Sequence, residues 1–318
     1  MAVIVRHIFK TVINLVLNFT WFNKIGIRLR YRIKQTSYEC NRVGWTVTIF
    51  RSFEHPIKKR WKKITTLGWF NTTLNKEISK NISGFADPFL ISYRSELYVL
   101  FELIVKDKGE IWYSKLLNGR IQAPKPALKE DFHLSYPNIF CENGEIYMIP
   151  ETGEDFSVRL YKAEKFPNVW SVKKILNYGK HFVDTSFIKI DQIYYWFVYD
   201  INLNDAMLFF SYGISGEWQV HPQQEKINYR NGGQIIQYNG SLYRPVQNES
   251  TTYGSGLNLM KINELSTLTY HDEICFQNFL GKNIGYSLEG AHHLTFVEWN
   301  GDWIVATDGI NRNFYRVY

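Results

Sequence analysis

Cysteine is scarce in this chain: Cys40, Cys141 and Cys275 are odd in number and far apart. No CxxC pair and no Cys/His ligand spacing occurs, which excludes a disulfide framework and a zinc site and predicts free thiols in a reducing compartment. Charge is thin as well, at 21% of residues, while aromatics reach 17%. That balance excludes global disorder and suits many half-buried strands. Residues 1–34 contain no acid at all, only Arg6, Lys10, Lys24, Arg28, Arg30, Arg32 and Lys34. These seven account for the whole net charge of +7, so the remaining chain is balanced. A basic groove across the protein is therefore not implied, and no nucleic-acid partner is expected. A Gly-rich nucleotide loop is also missing.

Long apolar runs are absent too. The longest stretch of the tail, between Lys10 and Lys24, is 13 residues and includes Asn14 and Asn18, short of the roughly 20 that span a bilayer. Ile4, Ile8, Val12, Leu15, Phe19 and Phe22 nevertheless recur at helical steps. The basic run follows the apolar part and no small-x-small site comes after it, so a signal peptide is not the reading. Residues 1–40 are expected to form a basic amphipathic helix, lying through residues 1–34 on an anionic membrane surface. A helix packed on the protein body is the alternative. The expected location is cytoplasmic, peripheral on the inner face of the membrane.

What the chain has in abundance is a repeat. "FADPFLISYRSELYVLFE" (85–102), "SYPNIFCENGEIYMIPE" (135–151), "VDTSFIKIDQIYYWFVYD" (183–200), "NGGQIIQYNGSLYRPVQ" (231–247) and "AHHLTFVEWNGDWIVATD" (291–308) are each an apolar run, a turn and an aromatic-rich run. Their starts, Asp87, Tyr136, Asp184, Gly232 and His292, stand 49, 48, 48 and 60 residues apart. A unit of about 40–50 residues fits a four-stranded propeller blade. The expectation is an all-β, five-bladed β-propeller over residues 41–318, with residues 45–67 completing the C-terminal blade and hiding its edge. A β-sandwich is the competing fold, and it does not explain the period.

The two ends of an antiparallel hairpin meet at one face. In a propeller the copies should therefore gather Asp87 with Glu102, Tyr136 with Glu151, Asp184 with Tyr199 and Asp200, Gly232 with Gln247, and His292 with Asp308 around one mouth of the channel. The approaches add His133, Arg230, Glu289 and His293, and Arg244 lies near a strand end. Asp87, Glu151 and Asp184 are the candidate catalytic carboxylates. Glu102, His133, Tyr136, Arg230, Arg244, Gln247, Glu289, His292, His293 and Asp308 are the candidate substrate-binding residues. Asp-Pro and Asn-Gly steps are also ordinary turn punctuation, and a structural Asp often satisfies loop amides. Unlike polar residues at matching positions argue instead for a binding site on a scaffold. No metal ligand set is evident; His292 and His293 should point to opposite faces. A divalent cation held by carboxylates and water at the mouth is compatible with this composition.

The stretches "FADPFL…LYVLFE", "FHLSYPNIF…GEIYMIPE", "VDTSF…YYWF", "GSLYRPVQN…YG" and "HHL…W…DG" resemble the N-terminal five-bladed propeller of plant glucosamine inositolphosphorylceramide transferases. They are also similar to bacterial proteins of surface-polysaccharide clusters. The likeness covers roughly residues 45–318. More distantly, the Asp-Pro opening resembles glycoside hydrolase family 43. There it implies a first-blade Asp as general base, a second-blade Asp that tunes it and a third-blade carboxylate as general acid. Carried over, Asp87 takes the base position and Asp184 the acid position, while Tyr136 and Asn138 stand where the second acid would be. "DTS" also replaces the usual "DPS". No transferase domain follows within these residues, so any chemistry is expected of the propeller or a partner. The resemblance implies a glycosyltransferase-like protein of surface-polysaccharide or glycolipid synthesis, meeting a sugar donor or glycan acceptor, free or lipid-linked. A family 43-like glycoside hydrolase and a non-catalytic glycan-binding module are the alternatives.

Overall fold

Aromatic and β-branched residues at alternating positions make strands, and the computed structural model is almost entirely strand. It describes residues 44–68, 81–117, 119–224, 227–282 and 289–311. Contacts separate Met1–Gly44 with Arg312–Tyr318 from Trp45–Asn311, and the second unit carries the sheets. The amphipathic helix expected over residues 1–40 and Cys40 lie outside the described residues. Helix among the described residues amounts to two three-residue 3-10 turns. None is long and apolar enough to cross a membrane.

In chain order the strands are β1 (Gly44–Ser52), β2 (Trp61–Leu67), β3 (Ile82–Tyr93), β4 (Glu96–Val105), β5 (Lys108–Leu117), β6 (Arg120–Ile121) and β7 (Lys125–Leu128). Then come β8 (Ser135–Glu142), β9 (Glu145–Thr152), β10 (Ser157–Lys165), β11 (Val169–Tyr178), β12 (Phe182–Ile190), β13 (Ile193–Asp200), β14 (Asp205–Tyr212) and β15 (Gln219–Val220). The last are β16 (Ile236–Tyr238), β17 (Ser241–Asn248), β18 (Gly256–Leu265), β19 (Tyr270–Leu280), β20 (Leu294–Trp299) and β21 (Asp302–Asn311). Strands β8–β11, β12–β15 and β16–β19 each form a four-stranded sheet in sequence order. A nine-stranded sheet holds the rest, with β1 bonded to β21 and to β2. It is joined to β3 through the parallel pair Trp45–Gly84.

The repeated turns are two-residue hairpin loops. Arg94-Ser95, Asn143-Gly144, Asn239-Gly240 and Asn300-Gly301 have both residues at positive φ, the backbone a type I′ turn requires. Each sheet is buried on the strands nearest its start and exposed on its last: β4 is buried over seven consecutive residues, whereas β19 shows a run of exposed ones. Among the described residues, five large apolar clusters lie between groups of strands. Phe89, Leu100 and Tyr136 belong to the first such interface. Leu160, Trp196 and Phe209 belong to the next, and Phe197, Leu208 and Tyr270 to the third. Ile236, Leu259 and Phe296 pack the fourth. Val47, Phe85, Phe101 and Ile304 join the C-terminal hairpin and β1 back to β3 and β4.

Candidate functional site

The hairpins are not regular at the end opposite their turns. Register breaks between Ala86 and Phe89 in β3, between Ser135 and Asn138 in β8, and between Val183 and Ser186 in β12. In each break one residue takes a left-handed φ: Asp87 at 49°, Tyr136 at 44° and Asp184 at 50°. These are β-bulges, which leave a residue unpaired and re-aim its side chain. Pro88 and Pro137 occupy the next position in the first two, where a missing N–H costs the ladder nothing. The expected pairs shift accordingly: Glu102 faces Ala86 and Glu151 faces Ser135, with Asp87 and Tyr136 turned out of the ladder.

The bulges are stitched together by carboxylates. Tyr136 N donates to Asp87 Oδ2 at 3.3 Å, and Asp184 N to Glu151 Oε2 at 3.4 Å. Asp308 Oδ1 accepts from the backbone N–H groups of His292 and His293 at 2.9 and 3.0 Å, and its Oδ2 accepts from Asp87 N at 3.5 Å. These contacts bring four of the five hairpins together at one end, and in each of them the carboxylate caps backbone.

Two polar groups result. In one, His292 Nδ1 lies 2.5 Å from Asp308 Oδ2, and its Nε2 lies 3.0 Å from the Tyr253 hydroxyl and 3.9 Å from Asp87 Oδ1. Its ring stacks on Trp45 with centroids 4.3 Å apart. Burial alone would lower His292, but the Asp308, Asp87 and Asp184 carboxylates hold it up at about 9. Burial likewise acts against the Asp308 carboxylate, yet the His292 charge and contact keep it below the ordinary range. Asp87 goes the other way. Burial, together with Glu102, Asp308 and Asp184, outweighs His292 and pushes it well above the carboxylate range. Ligand atoms of Asp87, His292 and Asp308 come within 4.8 Å of one another. A cation there would need neutral His292 and would displace its Asp308 contact.

In the second group, Asp184 Oδ2 accepts from Arg230 Nε and from Gln247 Nε2, the latter at 3.0 Å. Asn231 Nδ2 donates to Asp184 O at 2.8 Å, and the Arg230 guanidinium sits 5.5 Å above the Tyr253 ring. Burial and the neighbouring Asp184 raise Glu151 to about 7, against the opposing pull of Arg230 and His133. His133 Nδ1 accepts from Gly109 N at 3.0 Å, which leaves Nε2 to donate to Glu102 Oε1, also at 3.0 Å. Burial lowers His133, but the Glu102 bond and charge raise it overall.

Several expected binding residues sit behind this surface. Arg244 is wholly buried, its guanidinium held by Asp272, Asn231 and the carbonyls of Asn228 and Tyr229. The Tyr136 hydroxyl accepts from Gly233 N at 2.8 Å and lies 2.7 Å from Ser186 Oγ, tying the inner strands to one another. His293 is buried between the Phe89 and Tyr136 rings, and burial depresses it to about 3. Asp308 is 1% exposed. All four are buried and engaged within the protein: Arg244 and the Tyr136 hydroxyl by backbone and side-chain partners, His293 by aromatic rings, and Asp308 by His292 and three backbone N–H groups. Glu289 is half-buried, and its N–H donates to Ile310 O at 3.3 Å. Sequence reasoning missed Tyr253, Asn231 and Trp45. The "YG" step after the fourth copy was the available signal for Tyr253.

Comparison with known proteins bears on the family and the fold. A family model described as glucosamine inositolphosphorylceramide transferase 1, N-terminal, matches residues 71–310. Glucosamine inositolphosphorylceramide transferase 1 of Oryza sativa subsp. japonica is 31% identical over 245 residues, 70% of this chain and 33% of that protein. The Arabidopsis thaliana protein of that name is 32% identical over 245 residues, 70% of this chain and 32% of its own length. The chain thus spans about a third of the curated relatives it matches. Among solved structures, the catalytic domain of a Coprinopsis cinerea GH62 α-L-arabinofuranosidase aligns with a TM-score of 0.54 at 10% identity, over 74% of this chain and 93% of that one. The Podospora anserina α-L-arabinofuranosidase solved with cellotriose gives 0.56 at 9% identity, over 76% and 94%. At such identities the likeness is one of fold: all-β and propeller-like.

Proposed function

From a chain that belongs to the family of the glucosamine inositolphosphorylceramide transferase N-terminal domain, we propose a carbohydrate-active protein that serves glycosyl transfer to a lipid-linked acceptor. The fold reading that goes with it is a closed ring of five blades, each apolar cluster gluing one blade to the next. The single observation that carries the function is Glu151. It is held at about 7 by burial and by Asp184, beside the Asp184–Arg230 pair. A group that exchanges a proton near neutral pH suits general base catalysis. Glu151 then takes the proton of an acceptor hydroxyl, the role the resemblance gave to Asp87. Asp87, whose environment favours the acid form, donates a hydrogen bond instead. Arg230 and His133 hold the charged or hydroxyl groups that approach.

The test is transfer of labelled glucosamine to inositolphosphorylceramide in vesicles, the substrates in the plant relatives' name. Glu151→Gln should lower kcat by about 10²–10⁴ with the fold intact by circular dichroism. Undiminished transfer by that variant would sink the assignment. The bonds from Asp87, Glu151 and Asp308 to bulge N–H groups favour a second reading, a glycan-binding platform without turnover. Ligand binding by the wild type, with no product from any donor, would select it. Simple hydrolysis is disfavoured because Tyr136, at the position of the tuning acid, is already committed to Gly233 and Ser186. Residues 1–34 complete the reading as an anchor on the cytoplasmic membrane surface. Deleting them should abolish flotation with anionic vesicles and leave flotation with neutral ones unchanged.

A further inference from the structure

Beside the mouth a cleft of ≈ 640 Å³ opens where the β13–β14 connection meets β17, β18 and β19. That volume falls within the range of small-ligand sites, about 300–1,000 Å³. Its lining is dominated by amides: Asn204, Asn228, Asn248, Asn258, Gln277 and Asn278. Arg230 is the one cation among the described lining residues, set against the carboxylates of Asp205 and Glu249, so the cleft has no excess of positive charge. Several of these amides are part-engaged: Asn248 donates to Asn278 Oδ1 and accepts from Ser250 N, Asn258 Oδ1 accepts from Asn278 N, and Asn204 Oδ1 accepts from the Tyr199 hydroxyl. The amide N–H groups of Asn204, Asn258 and Asn278, with the Asp205 and Glu249 carboxylates as acceptors, are the donor and acceptor mix that vicinal hydroxyls match. A polyphosphate would instead call for several free cations or a row of backbone N–H groups.

Two further features point to a ligand. Tyr229 lines the cleft, is 45% exposed and stands at φ 69°. A bulky residue persists in that region only when its surroundings hold it there. Arg244 does so, donating to Tyr229 O at 3.3 Å and to Asn228 O at 2.7 Å from beneath. At the buried end, Gln247 spends its Nε2 on Asp184 and Asn231, and its Oε1 has no partner.

We propose that this cleft is the subsite for an uncharged polyol ring of the acceptor, sugar or cyclitol, stacked on Tyr229 and hydrogen-bonded by the surrounding amides. Only the delivery of its reacting end past Gln247 to Glu151 rests on the function proposed above. The apolar C–H face of such a ring meets the aromatic face, and its hydroxyl rim meets the amides. This gives Arg244 a positioning role, fixing the segment that presents Tyr229.

The test is saturation-transfer NMR on the full chain with myo-inositol, cellotriose and xylotriose as polyol probes, against uridine diphosphate and inorganic phosphate. The polyol probes should bind, and Tyr229→Ala should weaken them about tenfold, with Tyr229→Phe restoring affinity. Inositol alone binding identifies a cyclitol source; a trisaccharide alone identifies a glycan. Binding of no polyol, binding unchanged in Tyr229→Ala, or a cleft taken only by the phosphate probes would each overturn the assignment. Glu151→Gln separates the two readings. If transfer needs Glu151 but polyol binding ignores Tyr229, the cleft is wrong and the function stands. If Tyr229-dependent binding is seen and wild type never transfers, the cleft stands and the function falls.

Discussion

At the scale of single residues, chemistry here follows environment more than identity. Four carboxylates of similar kind, the buried Asp87, Asp184 and Asp308 and the half-buried Glu151, sit in unlike surroundings. Asp308 faces His292 and three N–H groups and stays ionised, while Asp87 is crowded by other acids and is driven toward its protonated form. Glu151 lies between them, and its raised value has a consequence for stability. A carboxylate raised from 4.5 to about 7 in the folded state binds its proton better there. Its stabilising contribution is therefore complete below pH 4.5 and is lost as pH rises through about 7. Glu151→Gln should remove that loss, so the variant gains on the wild type by a few kcal/mol between pH 5 and 8. Urea unfolding at both pH values measures it, and parallel curves would show that Glu151 titrates normally. The acidic residues were legible in the sequence as a set. Their division of roles was not, since that depends on which neighbours burial forces together.

At the scale of elements, the hairpin is the unit, and its two ends obey different rules. The turn ends are local. Asn300-Gly301 and Asn239-Gly240 announce type I′ turns, and a Cβ on Gly301 or Gly240 would meet nothing within 4 Å. Gly301→Ala should thus cost about 1 kcal/mol through its positive φ alone. Gly233 is different: a Cβ there would stand 1.9 Å from Leu294 O. Gly233→Ala should then cost several times more or prevent folding, because backbone has to move. Thermal unfolding of the two variants side by side decides it, and equal shifts would mean that the inner strands are loosely packed at Gly233. The bulge ends were half legible. Asp-Pro and Tyr-Pro steps mark a break in the ladder, but reading them as simple strand ends misplaced Asp87 and Tyr136 by one register.

At the scale of the whole molecule, β1 is bonded to β21 on one side and β2 on the other, although some 260 residues of chain separate β1 from β21. Val47 and Ile49 of β1 pack in one apolar cluster with Ile304 of β21 and Leu97 of β4. Removing residues 44–67 would leave β21 paired with β20 alone and open a long apolar edge on its other side. The truncated chain should lose its cooperative melt and aggregate, which light scattering during a thermal scan would reveal. A monomeric product with an unchanged melting temperature would show that the ends are dispensable. The core should be as intolerant. Trp196 is fully buried, stacks on Trp218 and donates to Ser211 Oγ at 2.8 Å, so Trp196→Ala should cost about 3–5 kcal/mol.

The turn dipeptides and the aromatic runs settled on their own that this chain is all-β and built of hairpins, because those signals act within a few residues, and their recurrence near every 48 residues marked the hairpins as repeats. The same period led to the expectation that acids gather at one end. Which of them are spent on capping bulges, which are pushed off their ordinary titration, and that Arg244 and His293 lie behind the surface were decided only by the tertiary structure. Burial and charge coupling arise between residues tens to hundreds of positions apart, and no local pattern records them.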